Sequence, residues 1–206
     1  RGLSFGGAAS PNTIFAGIDF ITIATGGTDH DFGETLLPRR GGKALASPTR
    51  AVHQIGGGDT VNSPYYDITN VIEFVTIQSK GNGQDFGDTS YQNGFAGHAG
   101  ANETRGILAG YFVQPANYNT IEFLTIATTG NTQDFGDLTF ATSNVVNGSV
   151  SDPTRMVCMG GRNSSGTYVN TIQFFQITTT GNAQDFGDIQ STRDRGAGMS
   201  TGHGGL

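Results

Sequence analysis

Apolar residues in this chain come in short runs that alternate with polar punctuation, and the longest runs are apolar on both faces. In 120–128 (TIEFLTIAT), Ile121, Phe123 and Thr125 share one face, while Glu122, Leu124 and Ile126 share the other. That is the period of a strand held between two layers. A shorter run, 105–110 (RGILAG), precedes it and ends at glycine. Thr129-Gly130-Asn131 is a turn signal, since Gly and Asn tolerate positive φ. Two more strand-sized segments follow, 133–139 and 142–150, before Asp152-Pro153-Thr154 punctuates the chain and Arg155 starts again. Four strands per unit are predicted.

The unit recurs. IDFITIATGGTDHDFGE (18–34), IEFVTIQSKGNGQDFGD (72–88), IEFLTIATTGNTQDFGD (121–137) and IQFFQITTTGNAQDFGD (172–188) are four copies of one phrase. Their aspartates Asp31, Asp85, Asp134 and Asp185 stand 54, 49 and 51 residues apart. A period near 50 residues marks a repeat architecture, in which each unit buries its apolar face against the next. We therefore expect a single all-β domain over 1–206, with approximate repeats 1–49, 50–104, 105–154 and 155–206. Four-stranded units repeated radially predict a β-propeller of four blades. The phase of the repeat is offset from the chain ends. Arg1 opens a strand with no strand before it, and 195–202 falls where a blade beginning at Arg1 lacks one. Pairing of the N- and C-terminal strands would close the ring and remove exposed edges. An open stack, or part of a longer array, is the rival arrangement.

Composition agrees with strands. Gly is abundant (33 residues), Pro numbers 6, and the strong helix formers are scarce. The charged fraction is 14% and the formal net charge is −6. Arg39-Arg40 is the longest basic cluster, so no concentrated positive surface is available for nucleic acid. Nothing approaches 18 consecutive apolar residues, and membrane insertion by a helix is not expected. The sequence starts at Arg1 with no Met and no leader pattern, which leaves open a segment upstream. The single cysteine, Cys158, can form no internal disulfide.

The blade pattern resembles a diverged kelch repeat: a glycine pair after a short apolar strand (Gly6-Gly7, Gly57-Gly58, Gly160-Gly161), an I-E-F strand, a G-N turn and an arginine-led strand. The third copy departs, with Gly110-Tyr111. Kelch blades usually carry Trp in the third strand; Phe32, Phe86, Phe135 and Phe186 stand in that place. The longer phrase N-x-I-E-F-x-T-I-x-x-x-G-N-x-x-D-F-G-D is similar to a repeat of virion proteins of tailed bacteriophages, notably those infecting cyanobacteria, and the terminal GHGGL (202–206) resembles their endings. The resemblance covers essentially the whole chain and carries no catalytic residue across. It implies a non-enzymatic structural or adhesion protein of the tail fibre or particle surface. The partners implied are other virion proteins or a host cell-surface glycan, met by multivalent or homo-oligomeric display. A secreted bacterial carbohydrate-binding or glycan-active propeller protein is the alternative.

The candidate chemistry is thin. Paired aspartates such as Asp85 and Asp88 invite a hard cation, but Ca²⁺ wants six to eight oxygens and each copy supplies two carboxylates. We expect no metal and no cofactor. In the structural reading the first Asp (Asp31, Asp85, Asp134, Asp185) holds the G-N turn. Phe32, Phe86, Phe135 and Phe186 fill the inter-blade core, Gly33, Gly87, Gly136 and Gly187 let neighbouring backbone approach, and the last acid caps the strand. A kinase reading of D-F-G fails without a phosphate loop or H-R-D segment. Four equal copies also argue against one asymmetric active centre. His30, His53, His98 and His203 fit surface loops or turns, and Glu73 and Glu122, replaced by Gln173 in another copy, look structural. The phase-locked arginines Arg1, Arg50, Arg105 and Arg155 are expected to bridge to carboxylates of the adjacent blade. Loops 7–12, 58–70, 110–119 and 161–170 vary most, and Tyr65, Tyr66, Tyr111, Tyr118 and Tyr168 fall there. Aromatic rings beside Asn, Gln and Asp suit sugars; shielding of blade edges, or packing on a neighbouring subunit, is the other account.

Overall fold

A computed structural model describes residues 1–9, 13–57, 68–94, 97–113, 116–141 and 148–200, which form fifteen strands in four antiparallel sheets and no helix. Sheet 1 contains β1 (Gly2–Ala9), β2 (Thr13–Ile21) and β3 (His30–Glu34). Sheet 2 contains β4 (Lys43–Ala46), β5 (Arg50–Gln54), β6 (Thr69–Thr76) and β7 (Gln84–Asn93). Sheet 3 contains β8 (His98–Ala101), β9 (Arg105–Val113), β10 (Ala116–Thr125) and β11 (Gln133–Asp137). Sheet 4 contains β12 (Gly148–Ser151), β13 (Arg155–Arg162), β14 (Tyr168–Gln176) and β15 (Gln184–Asp188). Each sheet is a simple meander.

The short strands β4, β8 and β12 lie beside one another, and the sheets fan out from them. Each belongs to the end of one sequence repeat yet pairs with the arginine-led strand of the next: β4 with β5, β8 with β9, β12 with β13. The sheet is therefore one strand out of phase with the repeat. A side-chain turn precedes each arginine: Ser47, Asn102 and Asp152 accept from the backbone N–H of Arg50, Arg105 and Arg155. At Asp152 the Thr154 N–H and hydroxyl, with the Arg155 N–H, hold the carboxyl below its ordinary range.

Successive sheets pack face to face through three apolar clusters. Leu3, Phe5, Ile18 and Phe32 meet Ala51, Val75 and Ile77. Val52, Ile72 and Phe86 meet Leu108, Leu124 and Ile126. Ile107, Ile121 and Phe135 meet Met156, Phe175 and Ile177. Both faces of the I-E-F strand are used, as its double apolar pattern predicts.

The D-F-G-D segment is a β-bulge. Ile18, Ile72, Ile121 and Ile172 pair with the D-F-G glycine, and the next residue pairs with the aspartate, so phenylalanine is the extra residue in each copy. The bulge turns Phe32, Phe86 and Phe135 into the inter-sheet core, where they are buried. A Cβ on Gly33, Gly87 or Gly136 would lie 2.3, 2.4 or 2.5 Å from the carbonyl oxygen of Gly81, Gly130 or Gly181 in the next sheet. Only glycine permits that approach. It brings the Gly81, Gly130 and Gly181 N–H groups to the carbonyls of Phe32, Phe86 and Phe135 at 2.9, 2.6 and 2.8 Å.

Two expectations about this joint are corrected. The turn side chain that matters is Asn, and it acts across sheets: Glu34, Asp88 and Asp137 donate their N–H to Oδ1 of Asn82, Asn131 and Asn182 at 3.1, 3.0 and 3.0 Å. The aspartates that lead D-F-G instead stand exposed. The arginines bridge to carbonyls, not carboxylates: Arg1, Arg50 and Arg105 donate to Ile77, Ile126 and Ile177 at 2.8, 2.8 and 2.9 Å. Their guanidinium groups stack over Phe20, Phe74 and Phe123 of their own sheet. A backbone acceptor at fixed height meets these three arginines in the same register, which a flexible carboxylate would not.

The expected closure of the ring by the chain ends does not form. Sheet 1 has three strands among the described residues, β1 pairs with β2 alone, and the segment 196–200 runs beside β12. Among the described residues no hydrogen bond and no core cluster joins sheets 1 and 4. The glycine joint occurs three times among the described residues, between sheets 1 and 2, 2 and 3, and 3 and 4. Residues 202–206 lie outside the described residues.

Candidate functional site

The densest polar chemistry lies inside the joint between sheets 2 and 3. Lys43 and His98 occupy the same repeat position, the first residue of β4 and of β8, and both side chains are buried. Lys43 Nζ donates to the Gly110 carbonyl (2.7 Å) and sits 4.1 Å from the centre of the Tyr111 ring. Gly97 makes room for it, since a Cβ there would lie 2.6 Å from Nζ. The Tyr111 hydroxyl donates to Glu122 Oε2, while Glu122 Oε1 accepts from the Ser90 N–H (3.1 Å). Asn93 Nδ2 donates to Gln54 Oε1 (3.1 Å) in the same layer, and Asn93 Oδ1 accepts from the Phe112 N–H (3.2 Å).

Burial dominates the electrostatics. It lowers the Lys43 ammonium from 10.5 to about 7, with Glu122 and then Cys158 pulling the other way. It lowers His98 to about 3, helped by the neighbouring Lys43 charge and opposed by the Gly148 backbone. Among the described residues neither His98 ring nitrogen has a hydrogen-bond partner of good geometry. The Tyr111 hydroxyl is pushed well up by burial and by the Glu122 charge. The Cys158 thiol is pushed up by burial, so it stays protonated. A near-neutral amine, a neutral imidazole and a carboxylate would suit proton transfer, but Lys43, His98 and Glu122 are all buried away from solvent. Through Lys43 and Glu122 the cluster bonds the backbone of β9 and β7.

The predicted contact residues are dispersed. Tyr65 and Tyr66 lie outside the described residues. Tyr111 is not on an exposed loop: it is in β9 with 0% exposure, drawn inward by Glu122 and Lys43, and is unavailable to a ligand. Tyr118, in β10, is half-buried and stacks on Tyr91 with ring centres 4.2 Å apart. Tyr168, in β14, is exposed and carries the Arg162 guanidinium 4.9 Å above its ring. The hairpin before it is tied by Asn163, which accepts from the Ser165 and Thr167 N–H groups. His30 is exposed, as expected, whereas His53 and His98 are buried, contrary to expectation; His203 lies outside the described residues. His53 pairs with Glu73 (Nδ1 to Oε1, 2.8 Å), whose other oxygen accepts from the Leu36 N–H (2.7 Å).

Where β4, β8 and β12 meet, a cavity of about 780 Å³ is lined by 44–48, 100–103, Ser151 and Pro153. Its walls are small side chains and backbone, with Glu103 the one ionisable lining residue. No group of three or more His, Cys, Asp and Glu side chains converges among the described residues. Neither a protein-family model nor a curated protein matches the chain.

Proposed function

We propose that the protein is a non-enzymatic, kelch-like four-bladed scaffold of a tailed-phage virion, associated with the tail fibre or particle surface, that displays loops to a host glycan or to other virion proteins. The reading rests on the resemblance of the repeat phrase and on one observation. Most polar residues at fixed repeat phase, the exposed D-F-G aspartates excepted, are spent on holding sheets together. Asn82, Asn131 and Asn182 bond backbone across a joint, as do Arg1, Arg50 and Arg105 and as do Glu73, Glu122 and Gln173. What remains for recognition is the variable hairpin end of each blade, where exposed Tyr168 with Arg162 offers a flat ring and a donor, the pairing that suits a sugar face.

Mass spectrometry of purified virions tests the assignment: the chain should be present at structural copy number. Its absence from particles, together with hydrolysis of a polysaccharide by the purified protein, would favour a secreted glycan-active protein instead. Tyr168→Ala should weaken attachment to cells or glycan without lowering the melting temperature.

A further inference from the structure

The two outer faces of the fan are halves of a contact the molecule makes three times within itself. On sheet 4, Phe186 is 54% exposed, although its counterparts Phe32, Phe86 and Phe135 are each 2% exposed. A Cβ on Gly187 would meet nothing within 4 Å, in contrast to the crowded Gly33, Gly87 and Gly136. On sheet 1, Ile21 is 44% exposed where Val75, Leu124 and Phe175 are 3%, and Ile23 is 72% exposed where Ile126 and Ile177 are 1% and 0%. Each face carries the residues that are buried at the internal joints.

We propose that sheet 4 of one copy receives sheet 1 of a second copy of this chain, head to tail, through a fourth version of the internal joint. The polar groups match as the apolar ones do. Arg155 lies over Phe174 like the other three arginines over their phenylalanines, but among the described residues its guanidinium bonds no carbonyl; the repeat register assigns it the Ile23 carbonyl of the second copy. The same register sets the Gly27 N–H against the Phe186 carbonyl and the Thr28 hydroxyl, in place of Asn, against the Asp188 N–H. A groove of about 430 Å³ beside Met159, Ile172, Ile189 and Ala197 is open to receive the incoming sheet.

The missing fourth strand of sheet 1 is also accounted for. Residues 197–200 stand to β12 as β12 stands to β8. Ser200 Oγ donates to the Ser151 carbonyl at 2.6 Å, and Ser151 Oγ donates to the Ala101 carbonyl at 3.1 Å. By the pairing of β4 with β5, the segment would place Ser200 opposite Gly2 and Ala197 opposite Phe5 of the second copy, adding a strand to the free edge of β1. A contact between two different faces is heterologous; it yields a ring if the rotation closes and a filament if it does not.

Light scattering after gel filtration should give a mass of at least two 21.5 kDa chains. Ile23→Asp and Phe186→Asp should each weaken association by at least about thirtyfold, and both should keep the wild-type circular dichroism spectrum because both sites are exposed. Mixed together, the two variants should form a one-to-one dimer, since each retains the face that the other has lost. A chain carrying Thr28→Cys and Asp188→Cys should link between molecules on oxidation, with native Cys158 buried and silent. A monomeric wild type, a cysteine link confined within one chain, or variants that dimerise alone but not with each other would each overturn the proposal.

Discussion

The joint between sheets 2 and 3 and the joint between sheets 3 and 4 share one hydrogen-bonded frame and differ in filling. Both have the glycine approach, the Asn bond and the arginine bond to isoleucine carbonyl. Between sheets 3 and 4 the filling is apolar, with Phe135, Met156 and Phe175, and the position of Glu122 is taken by Gln173, which accepts from the Thr139 N–H and hydroxyl. Between sheets 2 and 3 the layer also holds Lys43, Tyr111, Glu122, Gln54 and Asn93. The difference teaches that the repeat specifies the frame, while the inner layer is free to take buried polar groups, here around a Tyr that replaces the second glycine.

The largest effect is expected in the apolar joint. Phe135→Ala removes a buried ring beside Phe123 and Phe175 and should cost about 3–5 kcal/mol in denaturant unfolding. A cost below about 1 kcal/mol would mean that the frame, not the filling, holds these sheets.

Titration separates the two joints next. Folded Lys43 ionises near 7 against 10.5 when unfolded, so between those values the unfolded chain binds more protons and stability should rise with pH. His98, near 3 when folded and 6.5 when unfolded, has the same sign: its contribution is present above 6.5 and is lost as pH falls toward 3. Across its own window each group should change the unfolding free energy by a few kcal/mol, at a slope of about 1.4 kcal/mol for every tenfold change in proton activity. The dependence of melting on pH should be shallower in Lys43→Met and His98→Leu than in wild type within the respective windows; an unchanged slope would remove the ionic layer from the comparison.

Gln173→Glu imports the carboxylate without its Tyr and Lys companions. Desolvation should raise its pKa, so the variant should match wild type in acid and lose about 1–3 kcal/mol as pH rises through the ordinary carboxyl range. Equal stability at pH 4 and 7 would show that the Thr139 donors suffice. The smallest effect belongs to the frame: Asn131→Ala and Asn182→Ala, losing equivalent exposed bonds, should each cost about 0.5–1.5 kcal/mol and agree with one another by thermal melting.

Much of the fold is legible in the sequence because it is written four times. The two-faced strand 120–128, the glycine that admits neighbouring backbone and the buried phenylalanine all follow from alternation and from what a Cβ would block. The phase of the sheets is legible in part: β12 overlaps the end of the segment 142–150 expected as a fourth strand, but that it pairs forward depends on long-range packing. The ionic layer is not legible, since β4 and β8 are four residues long and their repeat partners Gly148 and Ala197 carry no charge. One signal does point to it, the break of the glycine pair at Gly110-Tyr111. Tyr111 misleads because a tyrosine after glycine near a variable loop reads as surface, and only the neighbouring Lys43 and Glu122 reveal the inward pull. For Tyr168 no such inward partner exists among the described residues, and its exposed position follows.

The offset between sequence repeat and sheet has a consequence for how such a chain can change length. Because the last strand of each of the first three repeats pairs forward into the next, a duplication or excision of one whole repeat leaves every internal strand with a partner of the same kind. A cut that follows the sheets does the same, at the segment between Asn93 and His98 for example. The number of sheets can thus change in single steps by recombination at any shared phrase, with no compensating substitution in the units on either side.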